Sequence, residues 1–168
     1  GSEMCIRDSY ITTFKVSSDG SSITSTVSTN HDGSYGRSNS LVRADEDTYI
    51  LSYNGSSNYG RVQTFTIPPD GSSITEVANA AFSDNSYSYW NSMIQIDHDT
   101  YVNAGYSYNT SGANGYYGVL ETFTIPLDGS SITSVATLKY TDQNLGTHNK
   151  LFKLCLLYTS DAADDPAS

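Results

Sequence analysis

The stretch that most constrains this fold is Phe65-Thr66-Ile67-Pro68-Pro69-Asp70-Gly71-Ser72-Ser73-Ile74-Thr75, because the chain contains it three times. Phe14 to Thr24 reads Phe-Lys-Val-Ser-Ser-Asp-Gly-Ser-Ser-Ile-Thr, and Phe123 to Thr133 reads Phe-Thr-Ile-Pro-Leu-Asp-Gly-Ser-Ser-Ile-Thr. Each copy joins an alternating apolar run to a β-branched run through Asp-Gly, which is the pattern of a β-hairpin. A second block also repeats. Asn39-Ser40-Leu41-Val42 leads to Asp45-Glu46-Asp47-Thr48-Tyr49-Ile50, and Asn91-Ser92-Met93-Ile94 leads to Asp97-His98-Asp99-Thr100-Tyr101-Val102. A third copy starts at Asn149-Lys150-Leu151-Phe152 and breaks off at Cys155.

Asp19 and Asp70 are 51 residues apart, and Asp70 and Asp128 are 58 apart. Such periods indicate propeller or solenoid units. One unit accommodates four strands, at about 39–44, 48–53, 60–67 and 74–82, and the next at about 91–96, 100–106, 117–125 and 132–140. Four short antiparallel strands per unit make the blade of a β-propeller. A parallel β-helix is the alternative, but its coils are shorter and lack two hairpins each. The expectation is an all-β fold, a partial β-propeller of antiparallel four-stranded blades forming an open arc of about three blades. Residues 10–30 supply half a blade, 39–82 and 91–140 a blade each, and 149–154 the first strand of another. Phe14/Val16, Phe65/Ile67 and Phe123/Ile125 should bury one face between blades, with Tyr49, Leu51 and Tyr53 covering the opposite layer.

Residues 10–154 resemble tandem-repeat propeller proteins common in translated environmental sequence, which share the Phe-Thr-Ile strand, the Asp-Gly-Ser turn and the Asn-Ser-Leu-Val strand. The resemblance implies an architecture and no particular activity. Residues 1–9, Gly-Ser-Glu-Met-Cys-Ile-Arg-Asp-Ser, resemble a translated sequencing adapter, and 155–168, beginning Cys-Leu-Leu-Tyr-Thr-Ser-Asp, resemble the opposite one. Both are therefore expected to be non-native and stand outside the fold reasoning. Cys5 and Cys155 both fall within these ends, so no disulfide or thiol chemistry is expected from them.

The formal net charge of -10 disfavours nucleic acid or an anionic membrane surface as partner, since either requires a basic patch. No apolar run approaches the roughly 18 residues of a membrane-spanning helix. With 14 Tyr, 13 Gly and abundant Ser and Asn, the loops have the composition of an adaptable contact surface.

Repetition separates scaffold from variable surface. The Asp-Gly-Ser-Ser and Asp-x-Asp-Thr-Tyr turns fall on one face of the predicted disc and agree between copies. The inter-blade loops, Gly33–Ser38, Asn85–Trp90 and Gln143–His148, fall on the other face and differ, as do 54–59 and 108–116. Loops that vary on a fixed scaffold are where binding resides. The candidate ligand-binding residues are Tyr35, Arg37, Tyr59, Tyr87, Tyr89, Trp90, Tyr108 and His148. Structural roles compete with this: Asp32, Asp84, Asp142, Asn39, Asn91 and Asn149 are expected to cap turns, and Trp90 could instead plug the centre of the disc.

Catalytic readings find less support. Asp45, Glu46, Asp47, Asp97 and Asp99 would suit calcium, but no Asp-x-Asp-x-Asp-Gly run is present. Ser17-Ser18-Asp19-Gly20 departs in spacing from the Asp-box of sialidase-like propellers and lacks its Trp. Glycosidases require two carboxylates about 5–10 Å apart, and the variable face offers only the turn-capping aspartates. His31, His98 and His148 have no triad or metal-ligand spacing. Asn54-Gly55-Ser56 and Asn109-Thr110-Ser111 satisfy a glycosylation pattern that arises by chance in such loops. The expectation is a non-catalytic binding or surface-display protein, extracellular or at the cell surface, with no cofactor or metal. Its partner would be a glycan or a protein, and open blade edges could add self-association. The alternatives are part of a polysaccharide-acting enzyme or a structural spacer.

Overall fold

The computed structural model describes residues 9–56, 59–82, 89–109, 115–140 and 150–153. Ten strands are present: β1 (Ser9–Val16), β2 (Ile23–Asp32), β3 (Arg37–Arg43), β4 (Thr48–Asn54), β5 (Gly60–Thr66), β6 (Thr75–Ala81), β7 (Tyr89–Gln95), β8 (Thr100–Asn109), β9 (Gly115–Thr124) and β10 (Thr133–Tyr140). They form an antiparallel pair, β1-β2, and two open four-stranded antiparallel meanders, β3-β4-β5-β6 and β7-β8-β9-β10. The fold is all-β with propeller-like blades, as the repeat predicts.

Register is set by turns that are the same in every copy. The segment Pro68-Pro69-Asp70-Gly71 closes with Gly71 N–H donating to the Pro68 carbonyl at 2.8 Å, and Gly129 to Pro126 and Gly20 to Ser17 do the same at 2.8 and 2.9 Å. Gly at the fourth position in all three copies, and Pro69 at the second in the middle one, suit such a turn. Gly20, Gly71 and Gly129 have φ of 72°, 66° and 67°, a region closed to most side chains. These hairpins are wider than the two-residue Asp-Gly turn that the motif alone suggests, because the segments 17–22, 67–74 and 125–132 lie between their strands.

Each of these hairpins also carries a β-bulge, at Thr12/Phe14, Thr64/Phe65 and Ser134/Ala136. A bulge takes a backbone N–H out of the ladder. In two copies a threonine accepts it: Val27 N–H donates to Thr13 Oγ1 at 3.2 Å, and Ala78 N–H to Thr64 Oγ1 at 3.0 Å. Each hydroxyl then donates to the turn glycine of the following unit, Thr13 to the Gly71 carbonyl at 2.8 Å and Thr64 to the Gly129 carbonyl at 2.7 Å. The repeated turn is therefore also the latch between successive sheets.

The core lies in two layers between the three sheets. One contains Ile50, Val62, Phe82, Met93, Tyr101, Phe123 and Ile125, joining the two meanders. The other contains Leu51, Tyr53, Phe65 and Ile67, with Ile11, Tyr49 and Ile74 against it, joining the middle sheet to β1-β2. Phe65/Ile67 and Phe123/Ile125 are buried as the pattern predicts, whereas Phe14 and Val16 are about 60% exposed. Tyr49, Leu51 and Tyr53 do not form the opposite layer. Tyr49 pairs across the sheet with Phe65 and Leu51 with Gln63, and directly opposed residues share a face, so this trio packs on the Phe65/Ile67 side. The opposite layer of that sheet is made by Ile50 and Val62.

Candidate binding face

The described strand ends that flank the variable loops lie at one end of the sheets. Antiparallel order places the start of β3, the end of β4 and the start of β5 together, and the equivalent parts of β7, β8 and β9 repeat this arrangement. Met93 N–H on β7 donates to Ser40 Oγ on β3 at 2.9 Å, which brings the first strands of the two meanders side by side.

Asp32 organises the first part of this end. Its Oδ1 accepts from the N–H groups of Ser34 and Tyr35 at 2.9 and 2.8 Å, the expected turn cap. Its Oδ2 also accepts from Ser56 N–H at 3.2 Å, tying the β2–β3 turn to the β4–β5 loop. Asn39 Nδ2 donates to the Gly36 carbonyl at 3.3 Å and closes the same turn. Tyr35 is thereby held half-buried, and the exposed Arg37 guanidinium lies 4.8 Å from its ring centroid, within cation–π range. Tyr59 is 38% exposed at the start of β5.

An aromatic group occupies the equivalent place on the second meander. Trp90 lies 6.0 Å from Tyr89 and 5.4 Å from Tyr106, the latter edge-on. Such geometries suit the quadrupoles of aromatic rings. Tyr106 was not among the candidates. The signal for it was present, since Tyr89 and Tyr106 are cross-strand partners just as Arg37 and Asn54 are in the preceding meander. Tyr87, His148 and the side chain of Tyr108, together with Asp84, Asp142 and Asn149, lie outside the described residues.

Trp90 has φ of 52°, and Ser38, which occupies the same place in the preceding meander, has φ of 56°. They are the non-glycine residues with positive φ among those described, and for a bulky side chain this is an outlier. The register of the first strand is irregular at both places, between Arg37 and Ser40 and between Tyr89 and Ser92. The kink is thus a property of the unit, and the side chain placed on it changes from copy to copy.

Beneath this end the sheets carry buried polar groups. Ser52 Oγ donates to Asn103 Oδ1 at 2.9 Å, and Asn103 Nδ2 donates to Asn91 Oδ1 at 3.1 Å, crossing from one meander to the other. Asn91 thus bonds into the sheet interface. Between β2 and the middle sheet, His31 is buried with Nε2 2.8 Å from Ser9 Oγ and its ring edge-on to Tyr53 at 4.8 Å. Burial pushes the His31 imidazole below its usual pKa and the Tyr53 phenol above its own.

The acidic turns at the other end serve their own backbones. Asp45 and Asp97 accept from the N–H groups of Glu46 and His98, each at 2.7 Å, while the carbonyls of Asp47 and Asp99 accept from Ile67 and Ile125 at 2.7 and 2.8 Å. Among the described residues no group of three His, Cys, Asp or Glu side chains is placed to hold a metal ion. No protein-family model matches the chain, and no curated protein matches it.

Proposed function

We propose that this chain is a non-catalytic binding or surface-display module built from propeller repeats, working outside the cell, with its ligand on the variable-loop end. The observation that carries this reading is the Tyr89–Trp90–Tyr106 group on a backbone kink that each meander repeats and fills differently. Backbone strain retained at a loop end is a mark of functional surface. A scaffold that keeps its turns while exchanging Ser for Trp at a kinked position is suited to varying a contact surface.

A glycan is the favoured ligand. Aromatic faces stack on the apolar faces of sugar rings, and the Asn- and Ser-rich loops supply hydrogen-bonding groups for hydroxyls. A protein ligand would use the same aromatic anchors with Arg37. Trp90 is the one tryptophan of the chain, so its fluorescence reports this place alone. Titration with oligosaccharides should shift its emission, and Trp90→Ala should weaken binding by about thirtyfold, corresponding to a hot-spot loss of about 2 kcal/mol. A flat response across a broad glycan array would remove the glycan ligand.

A further inference from the structure

The latch between sheets is complete twice and half-made twice. Thr13 and Thr64 each donate to a turn glycine of the following unit, and the Cβ atoms of these threonines lie 3.2 and 3.0 Å from where a Cβ on Gly71 and Gly129 would stand. Gly20, in the first copy of the same turn, has nothing within 4 Å of that position among the described residues. Thr122, in the third copy of the same threonine, donates at 3.4 Å to the Ala136 carbonyl of its own sheet. Among the described residues, one end of the stack therefore presents a glycine turn with no threonine, and the other a threonine with no glycine turn.

The apolar faces match in the same way. Phe14, Val16 and Ile23 are 59%, 60% and 70% exposed, although they are the counterparts of Phe65, Ile67 and Ile74. At the far side of the stack, Leu138 is 59% exposed in a row with Leu120, while Val102 and Thr122 stand in the neighbouring row. Val102, Leu120 and Thr122 are the counterparts of Ile50, Val62 and Thr64, the surface that receives Phe123 and Ile125 inside the molecule. The segment 150–153 already lies on this side as β7 lies on β3: Leu151 N–H donates to Ser92 Oγ at 2.9 Å, as Met93 N–H does to Ser40 Oγ.

We propose that two copies of this chain associate head to tail. The Phe14/Val16 face of one copy docks on the Val102/Leu120/Leu138 face of the other, and Thr122 Oγ1 donates to the Gly20 carbonyl of that partner. The interface between the two meanders is the template, which commits these faces to a second copy. Because the two surfaces differ, the contact is heterologous and propagates until a ring closes or a filament grows. The proposal uses the sides of the stack and is independent of the ligand at its loop end.

Sedimentation velocity of the full chain across a wide concentration range tests it. The unaltered chain should form species larger than a dimer as concentration rises. Phe14→Lys and Leu138→Lys each block one face, so each variant should sediment as a monomer with its β circular dichroism intact. Mixed in equal amounts they should form a dimer and nothing larger, since one free face remains on each. Thr122→Val should weaken association about fivefold, the worth of one neutral hydrogen bond, without altering the monomer. A chain that stays monomeric at every concentration overturns the proposal. So does a variant that associates by itself, which would indicate like faces meeting.

Discussion

At the scale of single residues, the repeat allows the same substitution to be made in different surroundings. Gly20 and Gly129 have nearly the same φ, but only Gly129 is crowded, with Thr64 Cβ 3.0 Å from a virtual Cβ. Gly20→Ala should therefore cost about 1 kcal/mol, the price of the left-handed backbone alone. Gly129→Ala adds the displacement of the Thr64 latch and should cost about 2–3 kcal/mol, the difference being read from chemical denaturation. Ser38 inverts the case, because glycine suits its φ of 56°. Ser38→Gly should be neutral or stabilising by about 0.5 kcal/mol. None of this was legible in the motif. Asp-Gly announced a turn, but nothing local announces a left-handed serine or tryptophan, and only superposing copies within the folded chain reveals that the two kinks are one feature.

At the scale of elements, most of the architecture could be read directly. Four strands per unit, their order and their approximate limits follow from period-two apolar runs punctuated by turns, and β4, β5, β6 and β10 lie within a residue or so of their predicted spans. The strands β3 and β7 begin about two residues early because the kink at Ser38 and Trp90 keeps the chain in the ladder across an irregular register. Assigning Tyr49, Leu51 and Tyr53 to the wrong layer had a simple cause: alternation identifies two faces but not which neighbouring strand shares each. The Asp-Gly-Ser turns also predict an acid response. Hydrogen bonds from Ser17 and Ser21 hold Asp19 down at about 2, and bonds from Ser72 and Ser130 lower Asp70 and Asp128. A depressed carboxylate contributes stability that is present above its unfolded pKa of 3.8 and is lost as pH falls through the folded value. His31, lowered mainly by its burial, acts earlier. The unfolded chain takes a proton near pH 6.5 that the folded chain refuses, so stability falls as pH drops below that point. Denaturant midpoints should decline in two stages on acidification, and His31→Gln should remove the upper one. The latch offers a third test. Thr64→Val strands the buried Gly129 carbonyl and the half-buried Ala78 N–H and should cost about 2 kcal/mol, whereas Thr122→Val in the dilute monomer should change stability by less than about 0.5 kcal/mol.

At the scale of the whole molecule, a stack of similar sheets behaves as a short linear array, with stability shared between each sheet and its contacts with its neighbours. The middle sheet has both faces covered, by β1-β2 on the Leu51/Phe65 side and by the second meander on the Ile50/Val62 side. Among the described residues, the outer face of β1-β2 meets no further sheet and the outer face of the second meander meets only the segment 150–153. Three phenylalanines at one repeat position measure this gradient, because Phe65 and Phe123 are 1% and 0% exposed and Phe14 is 59% exposed. Phe65→Ala and Phe123→Ala should each cost about 3–5 kcal/mol. Phe14→Ala in dilute solution should stay within about 0.5 kcal/mol. The two buried substitutions should also fail differently. Phe65 secures β1-β2 to the middle sheet, so its loss should raise amide exchange in β1 and β2 while the interface between the meanders stays protected. Phe123 secures the meanders to each other beside Phe82, 5.6 Å away, so its loss should loosen β7–β10 as a body. Equal exchange throughout both variants would mean that the three sheets unfold as one unit, and the array description would then fail. If instead the effect of Phe14→Ala grows with protein concentration while those of Phe65→Ala and Phe123→Ala do not, the outer face of β1 is being covered by another copy, since only a contact between molecules makes a substitution's cost depend on concentration.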